Sequence, residues 1–274
     1  MADLPNPHDA FFRETLSRVE AARDFVAHYL PAEVVACFDL GTLRVAKDSF
    51  VDEDLRSHYS DLLYEVGLRG GGDALVYLLV EHKSHPEPDA GLDLLRYTVK
   101  AWGLLRKQGR GFPLPPVVAV LFYHGREPWR VSAAFEDLIA APPELQRYVP
   151  RFRYELCDLS RYSDEELKGG VRLRAALLLW KHIFDDAPEE RLLDALKLLL
   201  DALGAETGLR SLESYLRYII QATDRVAADD LKRVLDSAKP GLGGAIMPTL
   251  AEQWMEQGKQ KGRQEGMLEG ARGM

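Results

Sequence analysis

Residues Ser60–Ser84 read SDLLYEVGLRGGGDALVYLLVEHKS, and this stretch organises the chain. Leu62, Tyr64, Val66 and Leu68 alternate with Asp61, Leu63, Glu65 and Gly67, the two-residue period of a strand. After Arg69-Gly70-Gly71-Gly72-Asp73 comes a β-rich run, Leu75 to Val80, continuing into Glu81-His82-Lys83. Three consecutive glycines supply the positive φ values that a reversal needs, so the stretch reads as a β-hairpin. A loop of Arg69–Asp73 sets Leu68 opposite Ala74, and paired residue numbers then sum to 142. Asp61 falls opposite Glu81, with Cβ atoms about 5 Å apart. Lys83 emerges on the same face, two residues further on.

Two facing carboxylates repel unless a cation lies between them. Lys83 is one such cation and a divalent metal is another. Asp61, Glu81 and the backbone carbonyl of His82 offer hard oxygen ligands, which suit Mg²⁺ or Mn²⁺. The lysine would then orient or activate a water beside a phosphate. The same residues also fit a solvated polar face with a weak salt bridge. A one-residue register slip would void the geometry.

At 274 residues there is room for one large domain or two modest ones. Apolar content of 46% with 28% charged residues is that of a soluble globular protein. No apolar run approaches the ~20 residues that cross a bilayer. The first residues, MADLPNPHDAFF, lack the basic and apolar regions of a signal peptide, so a cytoplasmic protein without membrane contact is expected. Cys37 and Cys157 each stand alone, which gives no zinc site or disulfide framework. A net charge of −8 argues against non-specific coating of nucleic acid, but leaves room for a local basic groove with a metal.

Asn6 and Pro7 suit the N-cap and first position of a helix whose apolar stripe runs from Phe11 to Leu30 and stops at Pro31. Thr42–Val45 makes a short first strand, and Asp52-Glu53-Asp54 an acidic turn or helix start. A second helix spans Asp89 to Lys107, with Leu92, Leu95, Val99, Trp102 and Leu105 inward. Arg96, Lys100, Arg106, Lys107 and Arg110 give it a basic side and end, either a solvated face or a DNA contact. Val117–Tyr123 is an almost unbroken apolar run, the mark of an interior strand, and ends in His124-Gly125. Arg153–Leu156 reads as another strand; Asp158 after it is a candidate for supporting the site residues, and equally a helix cap or a loop acid. From Ser163, paired with Glu166 as a capping box, the pattern is helical only: Leu173 to Phe184, then residues 189–203, 209–222 and 227–238. Tyr215 and Tyr218 read as packing residues, and Lys239-Pro240-Gly241-Leu242-Gly243-Gly244 as a linker.

In the tail, Gly258, Gly262, Gly266 and Gly270 recur every four residues among mixed charges. Each glycine costs a helix up to about 1 kcal/mol relative to alanine. The segment is therefore either mobile or ordered by self-association or a partner. Three regions result: 1–160 with the strands, 161–248 all helical, and the 249–274 tail.

Several ordered blocks now make a resemblance: HDAFFRETLS (His8–Ser17), SFVDEDLRSHYSDLLYEV (Ser49–Val66), YLLVEHKS (Tyr77–Ser84), LLRYTVKAW (Leu94–Trp102) and VVAVLFYHG (Val117–Gly125). The chain resembles, over most of its length, the Rpn family of recombination-promoting nucleases, also labelled YhgA-like transposases. The resemblance implies an α/β, PD-(D/E)xK restriction-endonuclease-like core, ordered αβββαβ with a mixed sheet flanked by helices, followed by an all-helical C-terminal region. It maps the motif onto Asp61, Glu81 and Lys83, with Ser60 at the variable leading position. Relatives often carry Gln where this chain has Lys83, the superfamily's usual residue, which favours a competent site. It implies Mg²⁺- or Mn²⁺-assisted phosphodiester hydrolysis of DNA. Asp61 and Glu81 would hold the metal, and Lys83 would position the attacking water. His8, Asp9, Arg96, Tyr97 and His124 are further candidates. A transposase of the DDE type would need three carboxylates on another scaffold, which the ExK on a hairpin argues against. A DNA-binding or oligomerisation protein that keeps the fold without cleavage is the competing reading.

Overall fold

Asn6 opens the first helix, α1 (Pro7–Leu16), by accepting the His8 N–H on Oδ1 at 2.9 Å. The apolar stripe expected to form one helix forms two. Arg18 is extended, and α2 (Val19–Tyr29) starts after it. The break lets Phe12 and Phe25 approach one sheet residue, Phe122, from two helices, with ring centroids 5.4 and 5.8 Å away. A short α3 (Ala32–Cys37) follows Pro31. The computed structural model describes residues 6–46, 62–81, 89–202 and 208–248.

Among the described residues five strands form one mixed sheet in the order of the chain: β1 (Phe38–Val45), β2 (Leu62–Leu68), β3 (Asp73–Glu81), β4 (Val117–Tyr123) and β5 (Glu155–Asp158). The first three are antiparallel, whereas β3, β4 and β5 are parallel. The hairpin forms with a corrected register. Its pairs run from Leu62↔Leu78 to Gly67↔Asp73 and sum to 140, not 142. Positive φ falls on Gly71 and Gly72, and Leu68 N–H bonds to Gly72 O at 2.9 Å, so the reversal centres on residue 70. Asp73 thus becomes a strand residue. The described pairs end at Leu62↔Leu78; Asp61, expected opposite Glu81, lies outside the described residues. Parity survives the shift: odd positions of β2 still pair with odd positions of β3, as in Leu63↔Tyr77.

Between β3 and β4 the chain crosses over through α4 (Asp89–Lys107), whose bounds match the sequence reading and whose inward face matches it only in part, at Leu105. Ala90, Gly91, Leu94, Tyr97, Thr98, Ala101 and Leu105 are buried. Leu92 and Val99, expected inside, are 53% and 56% exposed. A small residue lets the start of the helix lie close to the segment that precedes β5: a Cβ on Gly91 would already touch Leu138 and Tyr154 at 3.5 Å. The unbroken run of β4 is interior, as expected, and packed on both faces. Ala119, Leu121 and Tyr123 join Tyr77, Leu94, Tyr97, Trp129 and Tyr154 on the α4 side. On the other side Phe122 meets Phe12, Phe25 and Trp180. The last strand begins two residues later than the predicted Arg153.

Ser163 N–H does bond to Glu166 Oε2, at 2.8 Å, but the pair closes a turn. The helix, α5 (Val171–His182), starts after Gly169, whose φ is +109°. Its Trp180 lies 5.2–5.7 Å from Phe11, Phe12 and Phe122. That contact places α5 with the sheet, although its sequence character groups it with the later helices. The chain divides into two units, residues 1–188 and 189–274. The second contains α6 (Glu189–Ala202), α7 (Gly208–Ala222) and α8 (Ala228–Ala238), with Leu192, Leu196, Leu216, Tyr218, Leu231 and Leu235 buried. Tyr215 and Tyr218 are core residues there, as read. The expected linker shortens to a turn with Gly241 at φ +84°, and residues 242–248 are helical. The glycine stripe 258–270 lies outside the described residues.

Candidate active site

The three parallel strands end in one row: Glu81 pairs with Tyr123, and Tyr123 with Asp158. Carboxyl ends of parallel strands are where α/β sheets build sites, because the chain leaves them into loops free to carry chemistry. Glu81 is the last residue of β3. Asp61, His82 and Lys83, the other expected members, lie outside the described residues. Among the described residues no group of three or more His, Cys, Asp or Glu side chains is placed to hold a metal. A metal site here depends on residues flanking the row.

Two second-tier candidates meet at the end of β4. The buried His124 donates from Nδ1 to the Trp180 carbonyl oxygen at 3.3 Å, which requires the proton on Nδ1. Its ring stacks on Phe184 at 5.4 Å and lies 5.4 Å from His8. His8 is itself 5.1 Å from Phe184. Asp9 follows in the first turn of α1, so the N-terminus of that helix abuts the carboxyl edge of β4. Phe184 had read only as one apolar position in a helical run.

Asp158 resolves as a cap. Its Oδ1 accepts from Ser160 N–H at 3.0 Å and Ser160 Oγ at 2.7 Å; its Oδ2 accepts from Trp129 N–H at 2.9 Å and Arg161 Nε at 3.0 Å. Four donors use the acceptor sites of a carboxylate, so little remains for a metal. Arg161 also donates to Trp129 O at 2.8 Å. The acid fixes the Trp129 loop, and Trp129 packs edge-on against Tyr123 at 5.1 Å.

The basic residues of α4 divide between two places. Arg96 lies 5.1 Å and Lys100 Nζ 5.7 Å from the Tyr97 ring centroid, and Tyr97 lies 5.4 Å from Tyr77 in β3. Arg96 also pairs with Asp93 at 2.9 Å, and the Tyr97 hydroxyl beside its guanidinium raises its pKa further. Arg106, Lys107 and Arg110 are elsewhere. Arg110 reaches Asp73 at 3.3 Å, at the start of β3. Eight residue steps of about 3.3 Å separate Asp73 from Glu81, roughly 26 Å. These three residues therefore do not line the Glu81 edge.

Residues 6–235 match the family described as "Putative transposase, YhgA-like". The chain belongs to this family. Among similar family proteins, it is 32% identical to the recombination-promoting nuclease RpnA of Escherichia coli K12, over 92% of this chain and 85% of that one. It is 34% identical to RpnC of the same strain, over 93% of this chain and 83% of that one. An inactive recombination-promoting nuclease-like protein, RpnE, also of that strain, is 35% identical over 66% of this chain and 60% of its own. No solved structure matches the chain.

The YhgA-like chain has one polar cluster that its sequence did not reveal. His182, at the end of α5, has Nε2 at 2.9 Å from Asp164 Oδ1 and Nδ1 at 2.7 Å from Asp185 Oδ2, and Lys181 also pairs with Asp164. The His182–Asp185 spacing was a readable hint, but Asp164 is 18 residues away and only the fold brings it in. Burial alone would raise the Asp164 carboxyl; hydrogen bonds from Lys181 and His182 outweigh it and hold the pKa below the ordinary value. A lowered folded pKa stabilises above the unfolded value, near 3.9, and that contribution is lost as pH falls through the folded value. Asp164→Asn is expected to cost about 1–2 kcal/mol at neutral pH. The gap to wild type should close at acid pH, which urea midpoints measured against pH will test. A constant gap would show that charge is not involved.

Proposed function

We propose that this chain is a metal-dependent DNA endonuclease of the PD-(D/E)xK type, acting in recombination or on mobile DNA. Asp61, Glu81 and the His82 carbonyl would hold Mg²⁺ or Mn²⁺, and Lys83 would position the attacking water. The observation that carries the reading is Glu81 closing β3 at the carboxyl edge, inside the block YLLVEHKS. The element order supports it: helices, three antiparallel strands, a crossover helix, then a parallel strand. So do the names of RpnA and RpnC. The donor set fits the ion, since two carboxylates and a carbonyl are hard oxygens that suit Mg²⁺ rather than a thiophilic metal. When bound, such an ion supplies Lewis-acid stabilisation of charge on phosphate oxygens. The residues of the chain orient it, place the water and leave the phosphate accessible at a sheet edge.

RpnE, a relative named inactive, favours a second reading in which the fold binds DNA or assembles without cutting. Supercoiled plasmid distinguishes the two. With Mg²⁺ the pure chain should convert it to nicked or linear form, and EDTA should stop the conversion. Nicking that survives EDTA excludes the metal site; retention of plasmid without nicking, with Mg²⁺ or Mn²⁺ present, establishes the non-cutting reading.

A further inference from the structure

The sheet end remote from Glu81 carries an aromatic side chain framed by cations. Phe112 follows α4 and is 77% exposed. The Arg106 guanidinium lies 4.8 Å from its ring centroid. Arg106 is held by donating from Nη1 to Arg110 O at 2.6 Å, and Arg110 is tied to Asp73 at 3.3 Å. Lys107 and Arg69 are exposed at the same end, Arg69 bonding through Nε to Phe38 O at 2.9 Å. An exposed ring with a guanidinium against it, and further cations along the same sheet end, thus stand out in a chain whose net charge is −8. Two copies meeting through this end would set like charges against like. An anion with a flat face fits instead.

We propose that this end is a second nucleic-acid contact, in which Phe112 stacks an unpaired base while Arg106, Lys107 and Arg110 hold the adjoining phosphates. Exposed aromatics beside cations are the usual means of gripping single strands, since every base offers a π-face. The inference rests on the nuclease reading for its substrate, and it names the class: DNA with a single-stranded segment joined to a duplex. The roughly 26 Å between Asp73 and Glu81 sets the scale of such a segment, about eight nucleotide steps at 3.4 Å each.

The test uses the full chain in EDTA, where binding is read without cleavage. Fluorescence anisotropy compares a blunt duplex with the same duplex carrying a single-stranded tail of about ten nucleotides, enough to pass the eight steps. The tail should tighten binding by wild type. Phe112→Ala should lose about tenfold on the tailed DNA and leave the blunt duplex unchanged, with Phe112→Trp restoring the difference. Lys107→Ala should lower the salt slope on tailed DNA by about one. Equal affinity of Phe112→Ala and wild type for the tailed DNA overturns the contact, as do equal loss on both DNAs and failure to bind either. A tail effect without cleavage in Mg²⁺ removes the nuclease reading and keeps the contact. Cleavage without a tail effect removes the contact alone.

Discussion

Glu81→Gln is expected to lower Mg²⁺-dependent plasmid nicking by about 10²- to 10⁴-fold, because a metal's stabilisation of a phosphoryl transition state is worth several kcal/mol and each 1.36 kcal/mol is tenfold. The substitution keeps the length of the side chain and the last residue of β3, so strand pairing with Tyr123 should persist. What it removes is one negative charge from the ligand set. Asp61→Ala should cost a similar factor, and the double variant no more than the worse single one, since ligands of one ion act as a unit. Single-turnover nicking rates at saturating protein separate this loss from weakened DNA binding. A Glu81→Gln rate within tenfold of wild type would mean that position 81 holds no metal.

The strands were the most legible part of the fold, and their limits are instructive. Val117–Tyr123 needed only its apolar run, because a strand buried on both faces has no polar side to confuse the reading. The hairpin was legible as a hairpin but not in register. Five loop residues containing three glycines leave the turn centre undetermined by one position until φ values fall on Gly71 and Gly72. The face of α4 was misread in part because weight went to large residues. Leu105 is buried as read, but Ala90 and Ala101 pack with the sheet residues Tyr77 and Leu75, and Leu92 and Val99 are exposed. For the site, the sequence placed Glu81 at a strand end and put His8 and His124 on one list. Their 5.4 Å approach depends on α1 folding back over β4, which no local pattern specifies. Asp158 was ambiguous for a related reason: Trp129, which claims it, is 29 residues earlier. The basic residues of α4 and Arg110 were read as a basic side and end of one helix. A helix of 19 residues is about 28 Å long, so its two ends serve different parts of the sheet.

Phe122→Ala should destabilise the first unit by about 3–5 kcal/mol, the range for deleting a buried aromatic side chain. Its ring is fully buried and lies 5.4 Å from Phe12, 5.8 Å from Phe25, 5.2 Å from Trp180 and 6.0 Å from His124. Three helices, α1, α2 and α5, therefore converge on a single side chain of β4. No neighbour is free to fill the space, since Phe12 and Trp180 are themselves buried and already in contact at 5.7 Å. Folded domains have only about 5–15 kcal/mol in reserve, so such a loss consumes much of it. Phe122→Leu keeps most of the volume and should cost less than half as much. Urea unfolding followed by fluorescence suits the measurement, because Trp129 and Trp180 both lie buried in this unit. The midpoint should fall with an unchanged slope. A cost below about 1 kcal/mol for the alanine variant would show that α1, α2 and α5 are held to the sheet by other contacts. The expected cost instead makes this ring the joint through which α1, with His8 and Asp9 at its start, is kept against the carboxyl edge of β4.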